Sequence, residues 1–171
     1  PLGTWFHYFS GTLHLGGRTV EVPTPRNEIP LFIKAGSFIP SIPLQPSLDA
    51  FNTDQIFLTY YHHESVENSK DELYIDCGIN AEAIEKGTYQ LFSFEAQYSG
   101  KDLNIDISHN NGIYLLRPGR RTIVLQINNF NQRPEQVRID KKNVDFHYDT
   151  RRKQIQVKFP MGADPVNIRI R

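Results

Sequence analysis

The chain has one cysteine, Cys77, in 171 residues, which excludes an internal disulfide and any thiolate metal cluster. It has no charge excess: 19 basic residues balance 19 acidic ones, so no concentrated basic face points to nucleic acid as a partner. No window approaches the roughly 18 consecutive apolar residues of a membrane span, and no membrane partner is expected. A signal-peptide pattern is also missing. The chain opens on Pro1-Leu2-Gly3 without a Met, a start that suggests a piece of a longer protein and leaves the parent's compartment open. Helical periodicity is absent beyond two turns; Ala81–Lys86 is the nearest candidate and reads either way. There is no Gly-x-Ser-x-Gly, and no helix follows Gly16-Gly17 to cradle a phosphate.

What the chain does have is period-two alternation. Leu103-Asn104-Ile105-Asp106-Ile107 alternates apolar and polar, as a half-buried strand should, and so do Ile123–Ile127, Val137–Ile139, Val144–Tyr148, Ile155–Phe159 and Val166–Ile170. Turn formers punctuate them: Asn110-Asn111-Gly112, Arg117-Pro118-Gly119, Asn131–Pro134, Asp149–Lys153 and Met161–Pro165. Short strands at this spacing predict an all-β fold of antiparallel β-sandwich domains. In the first half Trp5–Phe9 and Arg18–Val22 read as hairpin-related strands. Leu31-Phe32-Ile33 and Phe38-Ile39 read as strands covered on both faces, and Ile56–Tyr61 as another. Pro40–Pro46 reads as an extended connector and His62–Asp71 as a surface loop or hairpin tip. A boundary between two β units is expected from Asp71 to Gly87, dividing the chain into 1–80 and 81–171.

Groups able to do chemistry are scattered. Asp71, Glu72 and Asp76 cluster, with Glu82 and Glu85 nearby, and two carboxylates in one cleft can hydrolyse a glycoside. A solvated loop with turn-capping aspartates accounts for them better, because nothing signals the apolar wall that would raise one pKa. His62 and His63 are adjacent, so on a strand they point to opposite faces and do not share a metal. His7, His14, His109 and His147 lie far apart, and Cys77 has no catalytic context. Lys141-Lys142 and Arg151-Arg152-Lys153 suit exposed hairpin turns. The reading is therefore no catalytic, cofactor-binding or metal-binding residue. Aromatics remain: Trp5, Phe6, Tyr8 and Phe9, or Tyr60 and Tyr61, offer platforms for a sugar ring. Trp5 and Phe9 share one strand face while Phe6 and Tyr8 take the other. Such two-sided cover suits burial against a neighbouring domain better.

The same opening stretch resembles the region that follows the catalytic barrel in glycoside hydrolase family 31, the α-glucosidases and α-xylosidases. Pro1-Leu2-Gly3-Thr4-Trp5-Phe6-His7-Tyr8-Phe9-Ser10-Gly11 is similar to that family's Leu-Pro-x-Gly-x-Trp-Tyr-Asp-Phe-x-x-Gly segment. Gly16-Gly17 and Ile29-Pro30-Leu31-Phe32-Ile33-Lys34-Ala35-Gly36-Ser37-Phe38-Ile39-Pro40 resemble its next landmark almost position for position. Leu73-Tyr74-Ile75-Asp76-Cys77-Gly78, followed by Glu85-Lys86-Gly87-Thr88-Tyr89, keeps the frame of a third. There Ile75 and Cys77 replace acidic residues, so the polar contacts of those acids are not carried over.

The resemblance implies a proximal and a distal C-terminal β domain, the proximal one lacking its first strands and so exposing a sheet edge. It implies a parent that hydrolyses α-glycosidic bonds without cofactor, with its catalytic aspartates in a (β/α)₈ barrel upstream of Pro1. That barrel is the expected partner, and a homo-oligomer contact stays open. The expected role is therefore non-catalytic support of the barrel. A carbohydrate-binding module with weak sugar contact and a protein-interaction domain are the alternatives.

Overall fold

A computed structural model of the protein describes residues 1–47, 52–110, 112–114 and 117–171. The expected turn residue Asn111 lies outside the described residues. Among the described residues no helix forms. Ala81–Lys86 makes turns in which Asn80 caps Glu82 N through its side chain at 3.1 Å and Lys86 N donates to Glu82 O at 2.9 Å.

The chain opens on a small three-stranded sheet, ordered β2-β1-β3, from β1 (Thr4–His7), β2 (Leu13–Leu15) and β3 (Phe32–Lys34). Arg18–Val22, expected as a strand, is irregular, and the hairpin partner of β1 is the shorter Leu13–Leu15. Two glycines explain why this region needs its sequence. At Gly16 an added Cβ would stand 2.0 Å from the Pro1 carbonyl oxygen and 3.0 Å from Trp5 Nε1, so only a bare backbone lets the chain start lie against β2. Gly36, after β3, holds φ +86°, and a Cβ there would stand 2.8 Å from Val66 Cγ1.

Two larger sheets follow. One orders β11 (Lys142–Val144), β10 (Val137–Ile139), β14 (Val166–Ile170), β8 (Asp102–His109), β7 (Gln90–Ser99) and β6 (Asn68–Ile75). The other orders β12 (His147–Asp149), β13 (Gln154–Met161), β9 (Arg121–Asn128), β5 (Gln55–Tyr61) and β4 (Phe38–Ser41). Every pairing is antiparallel except β5 with β9, which run parallel from Gln55↔Thr122 to Tyr61↔Asn128. The inward rows are those that alternation marks: Leu103, Ile105 and Ile107 on β8, Ile123, Leu125 and Ile127 on β9, Val166, Ile168 and Ile170 on β14. Each such side chain contributes about 1.5–3 kcal/mol when fully buried. A one-residue slip would turn a whole row outward.

Two further expectations need correction. Val144–Tyr148 is not one strand: β11 ends at Val144 in one sheet and β12 begins at His147 in the other, with Phe146 packed on the core between them. The stretch His62–Asp71 is a loop only in part, since β6 begins at Asn68 and His62 is buried. Hydrogen-bonded pairing also joins strands on either side of residue 80. Strand β5 pairs with β9 and β6 with β7, and one apolar cluster runs from Phe38 to Ile170. A second, small cluster of Phe6, Ile33, Ala35 and Tyr61, with Ile39 and Val66 against it, ties the N-terminal sheet to the sandwich.

Candidate functional site

Asp71, Asp76 and Glu82 are each engaged in separate contacts. Asp71 turns toward the sandwich and accepts a hydrogen bond from Phe38 N at 2.8 Å, stitching edge strand β6 to edge strand β4. Asp76 accepts from the Tyr74 hydroxyl at 2.8 Å and from Gly78 N at 2.7 Å, a turn-capping role. Glu82 forms an ion pair with Lys86, while Glu72 and Glu85 are exposed. Where Ile75 and Cys77 stand, Ile75 is buried in the core and Cys77 packs against it as a free thiol.

The histidines separate as well. His62 is 4% exposed, its ring lying 4.6 Å from Tyr98 and 5.2 Å from Phe130 between centroids, with no hydrogen-bond partner for Nδ1 among the described residues. Burial, with His63 adding repulsion, lowers its pKa to about 4. His63 bonds locally to Ser65 at 2.8 Å, and His7 to Ser10 at 2.9 Å. His109 lies with one ring nitrogen 2.8 Å from the Gly162 carbonyl oxygen. Among the described residues no group of three or more His, Cys, Asp or Glu is placed to hold a metal.

A buried polar cluster escaped sequence reasoning. Arg121, 4% exposed, donates to Gln90 Oε1 at 2.5 Å, Tyr114 Oη at 2.6 Å and Thr53 Oγ1 at 3.0 Å, with its guanidinium 5.3 Å above the Phe92 ring. Its bonded partners are all uncharged, and burial pushes its pKa below the usual range. The cluster joins β7, β9 and the segment before β5, so it holds the two sheets together.

Two surface features stand out. The first is apolar: Leu2 and Ile29 are each 82% exposed, and Leu13, Leu15, Val20 and Leu31 are exposed nearby in sequence. The second is a cleft of about 680 Å³ between the turn after β1 and the rim of the sandwich. Tyr8 and Phe9 line one wall, 46% and 53% exposed, their rings perpendicular at 5.1 Å. Asn128 at the end of β9 and Asn129 and Asn131 after it, with Arg151, Arg152 and Lys153 in the β12–β13 turn and Gln154 at the start of β13, line the other. Phe6 turns inward against Tyr61 at 6.2 Å and Tyr60 is buried, so neither Phe6 nor Tyr60 offers an open platform. The asparagines were missed because nothing in isolated polar residues signals a wall; the left-handed φ of +63° at Asn129 is the local mark.

No family model and no curated protein matches the chain. Its fold, however, is shared with solved glycoside hydrolase family 31 enzymes. A dextranase from Flavobacterium johnsoniae matches with a TM-score of 0.90 at 18% identity, over 100% of this chain and 23% of that one. An α-xylosidase from Xanthomonas citri matches at TM-score 0.71 and 20% identity, over 98% of this chain and 16% of that one. The α-1,4-glucan lyase of Gracilariopsis lemaneiformis matches at TM-score 0.71 and 16% identity, over 99% and 20%. The chain thus spans less than a quarter of the length of these structures and carries a fold found within them.

Proposed function

We propose that this chain is a non-catalytic C-terminal β region of a retaining α-glycosidase of family 31, and that it supports a (β/α)₈ barrel encoded upstream. The observation that carries this reading is the exposed apolar surface of residues 1–31. Leu2, Leu13, Leu15, Val20, Ile29 and Leu31 are all exposed, whereas the sandwich strands send their apolar rows inward. Eight of the thirteen exposed large apolar side chains among the described residues lie in this segment, the others including Leu44, Ile79, Ile84 and Ile113, and such a concentration suits an interface. A partner linked in the same polypeptide fits a chain that matches the whole of one region in much longer enzymes. Strands from the preceding polypeptide would extend the small sheet at β2 or β3, its two edges.

In such a parent, catalysis is the barrel's work: an aspartate attacks the anomeric carbon, and the glycosyl-aspartyl intermediate is then hydrolysed with net retention. The present chain contributes position. Its carboxylates at Asp71 and Asp76 are already engaged in strand and turn contacts, so they are not free to serve as acid and nucleophile. Purified alone, the chain should leave p-nitrophenyl α-glucoside and isomaltotriose uncleaved. Turnover that stays with the chain through purification and disappears in Asp71→Asn or Asp76→Asn would overturn the reading.

A further inference from the structure

We propose that the cleft between the turn after β1 and the β12–β13 turn is a binding site for a short oligosaccharide that carries uronate carboxylates. Its two walls offer different chemistry. On one side Tyr8 and Phe9 form a perpendicular corner of half-exposed rings, with Tyr61 also lining the cleft. A pyranose lays its C–H face on such a ring and keeps its hydroxyls outward, which an inorganic anion cannot do.

The opposite wall is rich in hydrogen-bond donors. Gln154 Nε2 donates to Asn128 Oδ1 at 2.7 Å, and Lys153 Nζ donates to Asn131 Oδ1 at 3.1 Å. Each bond occupies one lone pair of the amide oxygen of Asn128 or Asn131 and orients the side chain. Among the described residues they leave the Asn131 amide hydrogens and two ammonium hydrogens of Lys153 without a bonded acceptor. Arg152 is held near Asp149 at 3.9 Å, whereas the Arg151 guanidinium has no bonded partner among the described residues. Among the described residues Glu64 is the one carboxylate in the lining, against Arg151, Lys153 and an Arg152 that Asp149 partly neutralises.

A donor-rich wall with surplus positive charge selects a ligand rich in acceptors and negatively charged, and a guanidinium takes a carboxylate in a fork of two bonds. The wall is also preset. Asn129 and Lys153 both hold left-handed backbone, φ +63° and +51°, and Phe130 N donates to Lys153 O at 2.9 Å across them. Left-handed non-glycine residues persist only where their surroundings hold them, and they gather at binding sites. A neutral sugar would leave the cation surplus unused, and a bare anion would leave the aromatic corner unused. A uronate saccharide of two to three rings uses both and fits a cleft of about 680 Å³.

The cleft shares the 1–31 segment with the barrel-docking reading, Leu13 lining it as well, but the two are tested separately, one by sugar titration and the other by reassembly. The test is a titration of the ¹⁵N-labelled 171-residue chain with trigalacturonate, with maltotriose and sulfate run in parallel. The expected result is saturable shifts at Tyr8, Phe9, Asn129–Asn131 and Arg151–Gln154 with trigalacturonate. Binding should be weaker by on the order of ten-fold with maltotriose. Arg151→Ala and Phe9→Ala should each weaken trigalacturonate binding by on the order of ten-fold while amide shifts away from the cleft stay native. Equal affinity for maltotriose, sulfate displacing trigalacturonate with no effect of Phe9→Ala, or no saturable shift in the cleft would each overturn the proposal.

Discussion

Arg121 Nη1 and Gln90 Oε1 meet at 2.5 Å inside the sandwich, where Gln90 has no exposed surface and Arg121 almost none. The pair ties β9 of one sheet to β7 of the other, and Tyr114 and Thr53 take the remaining bonds. Removing one partner from such a cluster leaves the others buried without a bond, which costs more than the bond itself contributed. Arg121→Met should therefore lower stability by about 3 kcal/mol, a fall in Tm of about 9 °C for a chain of this size. A double-mutant cycle with Tyr114→Phe in urea melts checks the coupling. Strict additivity would place the stability elsewhere.

His62 sets an acid limit on stability. Its folded pKa of about 4 lies below the ordinary value of 6.5, so between those values the unfolded chain takes a proton that the folded chain refuses. Stability is full above pH 6.5, falls as pH drops toward 4, and by then has lost about 3 kcal/mol. Asp102 and Asp149 are held below 3.8, Asp102 chiefly by its bond to Arg169 and Asp149 chiefly by the backbone N–H of Arg152. Their losses therefore fall at lower pH. His62→Phe, which keeps a ring against Tyr98 and Phe130, should flatten the pH 6.5–4 limb of the denaturant midpoint and leave the lower limb in place.

Gly36→Ala should destabilise by about 2 kcal/mol, combining a left-handed φ with the Val66 contact at 2.8 Å. The two parts separate experimentally. Adding Val66→Ala relieves the contact and not the φ, so it should restore part of the loss beyond what Val66→Ala alone predicts. Thermal melts of the three variants give the answer, and full restoration would leave the backbone without a role.

The exposed apolar residues near the N-terminus make the opposite forecast. Leu2→Ser with Ile29→Ser removes little buried area, since each is 82% exposed, so Tm should stay within about 1 °C. Dye binding to exposed apolar surface and self-association in sedimentation should both fall. A large drop in Tm would mean that these side chains serve the fold and not an interface.

Legibility in the sequence followed the physics of each element. Strands β8, β9, β13 and β14 show because each buries one face and wets the other, which writes a period of two into the residues. Strand β6 hid behind Lys70, Asp71 and Glu72. At a sheet edge an inward position such as Asp71 can be polar, because it reaches Phe38 N across the rim. Strand β7 does alternate, through Phe92, Phe94 and Ala96, but Gln90 on the inward row and Leu91 on the outward row dilute the signal. The parallel pairing of β5 with β9 leaves no local mark, since its partners lie 67 residues apart at Gln55↔Thr122. The same holds for Thr53, Gln90, Tyr114 and Arg121, and for the cleft wall of Asn128–Asn131 and Arg151–Gln154, which only folding brings together. The glycine landmarks of residues 1–40 were legible for another reason: Gly16 and Gly36 are dictated by close backbone approach and, at Gly36, a left-handed φ.

The central claim, a β region that supports a barrel without doing chemistry, meets its most direct test in reassembly. The segment encoded upstream of Pro1 is expressed separately, mixed with the 171-residue chain, and followed by size-exclusion chromatography with light scattering. The account predicts a one-to-one complex that cleaves p-nitrophenyl α-glucoside and that is lost when Leu2, Ile29 and Leu31 are changed to Glu. An upstream segment that is fully stable and active alone and ignores this chain, or one that contains no barrel, would contradict it.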